Sequence, residues 1–236
     1  MPVAVDYVFA VVLVVVASLY EHFYFWPRFR ADVAANRPGA RPRGYRRGLI
    51  GQWLFAGAAI AIWIAHGRPW TVLRLSLPPL GGRLALGVAV VLAAVALMVL
   101  QLWSAGRLSP QRRVAARPKL GSVAFMLPHT AQEHRWFVGL ALTAGFCEEL
   151  LYRGYLAWFF APWLGSAGAM FLVVVAFGLG HSYQGRRGAI KATLAGAVMA
   201  AIVLASDSLI PAMIAHALVD IGGGTLGYWL LREQEG

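Results

Sequence analysis

Charge is what this chain has least of. Only 13% of its 236 residues are charged and 59% are hydrophobic, where a soluble domain carries about 25% charge. The deficit excludes a disordered chain, a basic nucleic-acid-binding domain and an ordinary cytosolic enzyme. A single cysteine, Cys147, excludes a disulfide framework and any cysteine-rich zinc site. No internal repeat and no low-complexity tract occurs. Acidic residues are few as well: 10 Asp and Glu face 21 Lys and Arg, a net charge of +11.

What remains is long apolar runs. A helix rises about 1.5 Å per residue through a hydrocarbon core of about 30 Å, so a span needs about 20 apolar residues. Runs at 5–26, 49–66, 84–105, 136–158, 165–183, 189–206 and 209–231 meet or approach that length. The expected fold is all-α, a polytopic transmembrane bundle of about seven spans whose last four form the core. Residues 67–82 are expected to be a short amphipathic interfacial piece, ended by Pro78, Pro79, Gly81 and Gly82. The leader MPVAVD carries Asp6 and no basic residue, so the first run is expected to be a retained helix and not a cleaved signal.

The basic residues set the orientation. Segments 27–48, 106–135, 184–191 and the tail hold 17 of the 21, while the alternate segments hold Arg68, Arg74 and Arg83. The positive-inside rule puts the basic segments in the cytoplasm, with the N-terminus outside and the C-terminus inside. The arginine loops are therefore read as topology signals in contact with anionic lipid, not as a nucleic-acid surface. With 19 Arg to 2 Lys, the composition suggests a GC-rich bacterium and its inner membrane.

A charge at mid-bilayer costs at least about 2.5–3.5 kcal/mol, so the ionisable residues inside spans carry the information. The fourth span contains Glu148 and Glu149, with Arg153 four residues on from Glu149. That spacing puts Glu149 and Arg153 on one helix face, in the favourable order for an ion pair. Glu148 lies about 100° around the helix and needs another partner, a proton or water. Phe177 and His181 repeat the four-residue spacing in the fifth span, and His216 and Asp220 in the seventh. An intramembrane His–Asp pair reads as functional by default. Three helices thus send polar groups inward, toward a water-filled cavity open to the cytoplasm. Small residues Ala192, Gly196 and Ala200 line the sixth span and are read as a close-packing stripe.

The three motifs, Glu148-Glu149-Leu-Leu-Tyr-Arg153, Phe177-Gly-Leu-Gly-His181 and His216-Ala-Leu-Val-Asp220, resemble those of the CPBP family, the CAAX proteases and bacteriocin-processing intramembrane glutamic endopeptidases. The resemblance covers about 128–231, the expected catalytic core, and leaves 1–127 as generic N-terminal spans and basic loops. It implies that Glu148 is the general base that activates water, with His181 helping to hold that water. Glu149 and Arg153 then form the supporting ion pair, and His216 and Asp220 the polarising or oxyanion-stabilising pair. A carboxylate donates no hydrogen bond unless protonated, so Asp220 is expected to orient His216. The resemblance further implies a membrane-associated peptide or protein substrate and neither metal nor cofactor.

Three other readings of the same residues stand beside it. Glu148, His181, His216 and Asp220 are also the donor types of a zinc site, although no HExxH occurs. Cys147 is a possible nucleophile, against a plain packing role. Intramembrane acids and histidines also build the proton relays of transporters, and the same bundle serves as a non-catalytic scaffold or immunity factor.

Overall fold

The computed structural model describes residues 1–232, and among these every regular element is helical. Helix α1, Ala4–Ala34, continues past the predicted end at 26. Its π-helical stretch Glu21–Phe25 lies just before Pro27, whose missing N–H removes one helical hydrogen bond. Helices α2, Ala40–Ala65, and α3, Gly82–Gly106, follow. A short helix, Pro110–Ala116, and a 3₁₀ stretch, Arg117–Met126, lead to the second half of the chain.

Helix α4, Ala131–Glu148, starts on a capping box: Thr130 Oγ1 accepts from Glu133 N, and Glu133 Oε2 accepts from Thr130 N. It widens without a break into a π-helical stretch, Glu149–Leu156, and runs on as α5, Ala157–Gly180. Gly165 (φ 67°, ψ 170°) kinks α5. A 3₁₀ turn, His181–Gln184, then leads to α6, Gly185–Ser206, and α7, Ile210–Leu231.

Five helical runs are long and apolar enough to cross a membrane among the described residues. The longest, Ala131–Ser206, has 76 residues, where about 20 suffice for one crossing. It is interrupted at Gly165 and at the His181–Gln184 turn. The chain is a multi-pass membrane protein. Its outer surface agrees: α3 buries only Gly87 and Ala105 and exposes Leu92, Leu97, Val99 and Leu100, the pattern of a lipid-facing helix.

Helix α7 packs chiefly against α4 and α3, and α2 against α4. One apolar core surrounds Trp63, Tyr155, Leu156, Val173 and Val203, and a second surrounds Phe29, Tyr45, Leu127 and Phe137. Gly145 sets the α4–α7 distance. A Cβ there would stand 2.7 Å from the Met213 carbonyl oxygen and 2.8 Å from Ala217 Cβ.

Two local expectations are corrected. Residues 67–82 form turns and extended chain, not an amphipathic element. Pro69, Pro78 and Pro79 and the positive-φ positions Gly67, Arg74 and Gly81 prevent a helix there. Tertiary bonds hold the segment instead: Leu209 N donates to Arg74 O at 2.8 Å, and Arg74 and Arg83 both reach Asp207 at 3.0 Å. At the other end, α5 stops at Gly180. His181 sits at its C-cap, and Arg186 and Arg187 belong to the first turn of α6, not to a loop.

Candidate active site

The two adjacent glutamates meet opposite surroundings. Glu149 opens the π-helical stretch, is fully buried, and accepts from Arg153 Nη1 at 3.0 Å on Oε1. Both side chains of this pair are fully buried. The Arg153 guanidinium lies over the Phe177 ring, 4.3 Å from its centroid, which adds a cation–π attraction in a dry setting. Gly196 on α6 makes this possible, because a Cβ there would stand 2.6 Å from Arg153 Nη2. The small-residue stripe of α6 therefore accommodates an ion as well as a helix.

His216 joins this pair from α7. Its Nδ1 is 2.8 Å from the same Glu149 Oε1. A carboxylate oxygen accepts, so Nδ1 carries the proton and the ring is turned with Nε2 facing away. That Nε2 stands 3.9 Å from Glu148 Oε2 and 3.6 Å from Asp220 Oδ2. Both separations exceed a direct hydrogen bond. A water oxygen about 2.8 Å from both Glu148 Oε2 and His216 Nε2 would see them at roughly 90°, an angle water accepts. Exposure rises outward across the cluster: the side chains of Glu149, His216, Glu148 and Asp220 are 0%, 12%, 17% and 40% accessible. The arrangement is a buried ionic base under a solvent-reachable carboxylate and imidazole edge.

His181 takes a more peripheral place. Its Nδ1 donates to the Phe177 carbonyl at 2.8 Å, leaving Nε2 as the outward edge of the ring. It lies within electrostatic range of both Glu148 and Asp220. Its ring packs on Phe177 and Tyr183, and Tyr183 stacks face to face on Trp26 of α1, with centroids 3.6 Å apart. Phe177 thus touches Arg153, His181 and, edge-on at 6.2 Å, His216. All seven residues singled out by the three motifs meet in one cluster. Cys147, next to Glu148 in sequence, is fully buried in the apolar core.

Two polar contacts were not expected from the sequence, which drew attention to ionisable groups at helical spacing. Gln52 on α2 donates from Nε2 to Glu148 Oε1 at 2.9 Å. An amide in an otherwise apolar run was the available signal. Asp6 is fully buried and pairs with Arg68 through two bonds of 2.8 and 2.6 Å. Asp6 and Arg68 are 62 residues apart, and no local spacing announces such a pair. Two cavities of about 580 and 320 Å³ are present among the described residues. One is lined by Tyr20, Tyr24, Arg28 and Arg47, the other by Thr71, Arg74, Arg153, Trp158 and Asp207, so that the second touches the Glu149–Arg153 pair from its arginine side. Neither includes Glu148, His181 or His216, and the geometry of the ionisable groups outweighs cavity size here.

Three carboxylates, two imidazoles and a guanidinium are thus gathered inside an apolar bundle. Residues 122–222 match the family model described as type II CAAX prenyl endopeptidase Rce1-like. This segment is similar to the CAAX protease family. The match runs from the 3₁₀ stretch before α4 to the first half of α7, so it includes all seven motif residues and leaves α1–α3 outside. No curated protein and no solved structure matches the chain. The similarity suggests a membrane-embedded protease, and the helices long and apolar enough to cross a membrane agree with the membrane part of that reading.

Proposed function

We propose that the chain is an intramembrane endopeptidase that cuts membrane-associated peptides with a glutamate-activated water and without a metal. The observation that carries this reading is the approach of Glu148 Oε2 to His216 Nε2 at 3.9 Å, with Nδ1 of the same ring held by Glu149. Peptide hydrolysis needs a base because water is a poor nucleophile. In the proposed step Glu148 Oε2 takes a proton from water as its oxygen adds to the scissile carbonyl carbon. The carbonyl oxygen becomes an oxyanion, and imidazolium His216, donating from Nε2, stabilises it. The C–N bond then breaks, and Glu148 returns the proton to the leaving amine. Asp220 steadies the Nε2 side of His216, and His181 Nε2 accepts a hydrogen bond from the attacking water. Glu149 and Arg153 hold His216 in place.

The substrate class follows from where the cluster opens. Asp220, its most exposed member, lies midway along α7, whose C-terminal end meets the arginine-rich 106–135 segment through Arg117 Nε, which donates to Leu230 O at 2.7 Å. By the positive-inside rule that end is cytoplasmic, the N-terminus is outside and the C-terminus inside. Lipid-proximal peptides at the cytoplasmic face are the proposed substrates. The unit that performs the chemistry is 128–231, with 1–127 as its support.

The test is cleavage of a peptide library by purified protein in liposomes, comparing the native chain with Glu148→Gln. The reading requires cleavage by the first, loss of it in a folded Glu148→Gln variant, and persistence in a chelator. A folded Glu148→Gln variant that cleaves at the native rate would refute it. So would activity that a chelator removes and zinc restores.

A further inference from the structure

The three N-terminal helices lie outside the matched family segment, yet one of them touches the proposed base. Helix α2 buries a stripe at Tyr45, Ala56, Ala59 and Trp63 against α4. Gln52 falls on that stripe, four residues before Ala56, so its side chain is turned inward. Trp53 anchors the same turn, donating from Nε1 to Thr143 Oγ1 at 3.2 Å and stacking on Phe146. Gln52 is thereby presented to Glu148 by a fixed helix and not by a loop.

The chemistry of the contact orients the amide. A carboxylate accepts only, so the amide presents its NH₂ to Glu148 Oε1, at 2.9 Å. Its own Oε1 is then left buried without a partner. That oxygen is an acceptor in a site otherwise crowded with acceptors, a costly placement unless the donor side of the amide is needed. The carboxylate is divided by this bond: Oε1 is held by α2, and Oε2 is left facing His216 Nε2.

We infer that Gln52 is a positioning residue for hydrolysis, holding the Glu148 carboxylate so that its Oε2 faces the attacking water. This rests on Glu148 being the base. It assigns α2 a part in the chemistry that the family segment alone does not contain. A carboxylate free to rotate about its terminal torsion would spend much of its time misaligned, and misplacement by about 1 Å costs on the order of 100-fold in rate.

The experiment measures kcat and KM for one cleaved peptide in liposomes, with thermal midpoints in parallel. Gln52→Met keeps the side-chain length and removes the donor. Gln52→Asn keeps an amide and withdraws it by one carbon, beyond hydrogen-bond reach. The expected result for both is a fall in kcat of about 10- to 100-fold, with KM within about twofold of native. Should Gln52→Met fail to fold, Gln52→Asn alone decides. Native kcat in a folded variant, or a rise in KM with kcat unchanged, would overturn the inference. Gln52→Met is also combined with Glu148→Gln. No further loss is expected, because Gln52 acts through the carboxylate that is already gone, and a full second loss would overturn it. The control separates the two readings. If Glu148→Gln alone keeps native activity, the base assignment fails. If that variant is inactive while Gln52→Met has native kcat, only the role of Gln52 fails.

Discussion

The bundle holds two buried carboxylate–arginine pairs, and they are built on opposite principles. Around Asp6 every oxygen is occupied. Oδ1 accepts from Arg68 and from the Tyr155 hydroxyl, and Oδ2 accepts from Arg68 and from the Val3 amide at 2.7 Å. The Arg68 guanidinium lies against the rings of Trp63 and Trp158. Around Glu149 the bonds converge instead on one oxygen, which accepts from both Arg153 and His216, while Oε2 and the Arg153 Nε and Nη2 have no partner. The closed pair clasps the start of α1 to the 66–81 segment and offers nothing to a ligand. The open pair passes its charge on to an imidazole whose other edge reaches solvent. A buried ion pair thus shows its use in whether its bonds close on themselves or lead outward.

Variants can break or sharpen this contrast. The largest change in activity is expected from Glu148→Gln, on the open side. Loss of a general base typically costs 10²–10⁴-fold, while the thermal midpoint should hold because Gln52 can still bond to the amide that replaces the carboxylate. Steady-state cleavage and a detergent melt read both. Next is Asp6→Ala, on the closed side. Leaving Arg68 buried without its partner should cost about 3–5 kcal/mol of stability, with kcat of the folded fraction close to native. A melt paired with kinetics checks it, and a stable but inactive variant would erase the distinction between the two pairs.

Gly145→Val probes the seam that brings His216 to Glu149. With backbone oxygen 2.7 Å from the added Cβ, overpacking should cost about 1–3 kcal/mol. Activity should fall along with stability as α7 moves outward. The smallest effect is expected from Cys147→Ala. The thiol is fully buried among apolar residues, so cleavage should stay within about twofold of native, as expected of a packing residue and not a nucleophile. Thiol-directed inhibitors should likewise leave the rate unchanged.

Much of the clustering of polar groups was legible in the sequence. The i, i+4 spacings of Glu149–Arg153, Phe177–His181 and His216–Asp220 are helical facts, and helical spacing survives folding in an apolar chain. Each pair is found on one face, and the three faces converge. Gln52 was not legible as a partner of Glu148, because 96 residues separate them and an amide carries no charge to attract notice. The Asp6–Arg68 clasp was hidden for the first of these reasons. The 67–82 segment was expected only as a short amphipathic piece, and its irregular path was not legible because its prolines and its bonds to Asp207 and Leu209 set that path.

Composition and spacing alone determined that this is a helical membrane protein. They also determined that Glu149–Arg153 and His216–Asp220 lie one helical turn apart, since both results follow from one-dimensional quantities: hydropathy over about 20 residues and the 3.6-residue turn. Only the tertiary structure decided which pairs share a centre. It set Glu149 and not Glu148 under His216, turned the Nε2 edge toward Glu148, and brought an amide from α2 to the free carboxylate. Those contacts depend on how closely helices approach, and that is governed by single positions such as Gly145 and Gly196, where the absence of a Cβ lets a neighbouring backbone or guanidinium come near.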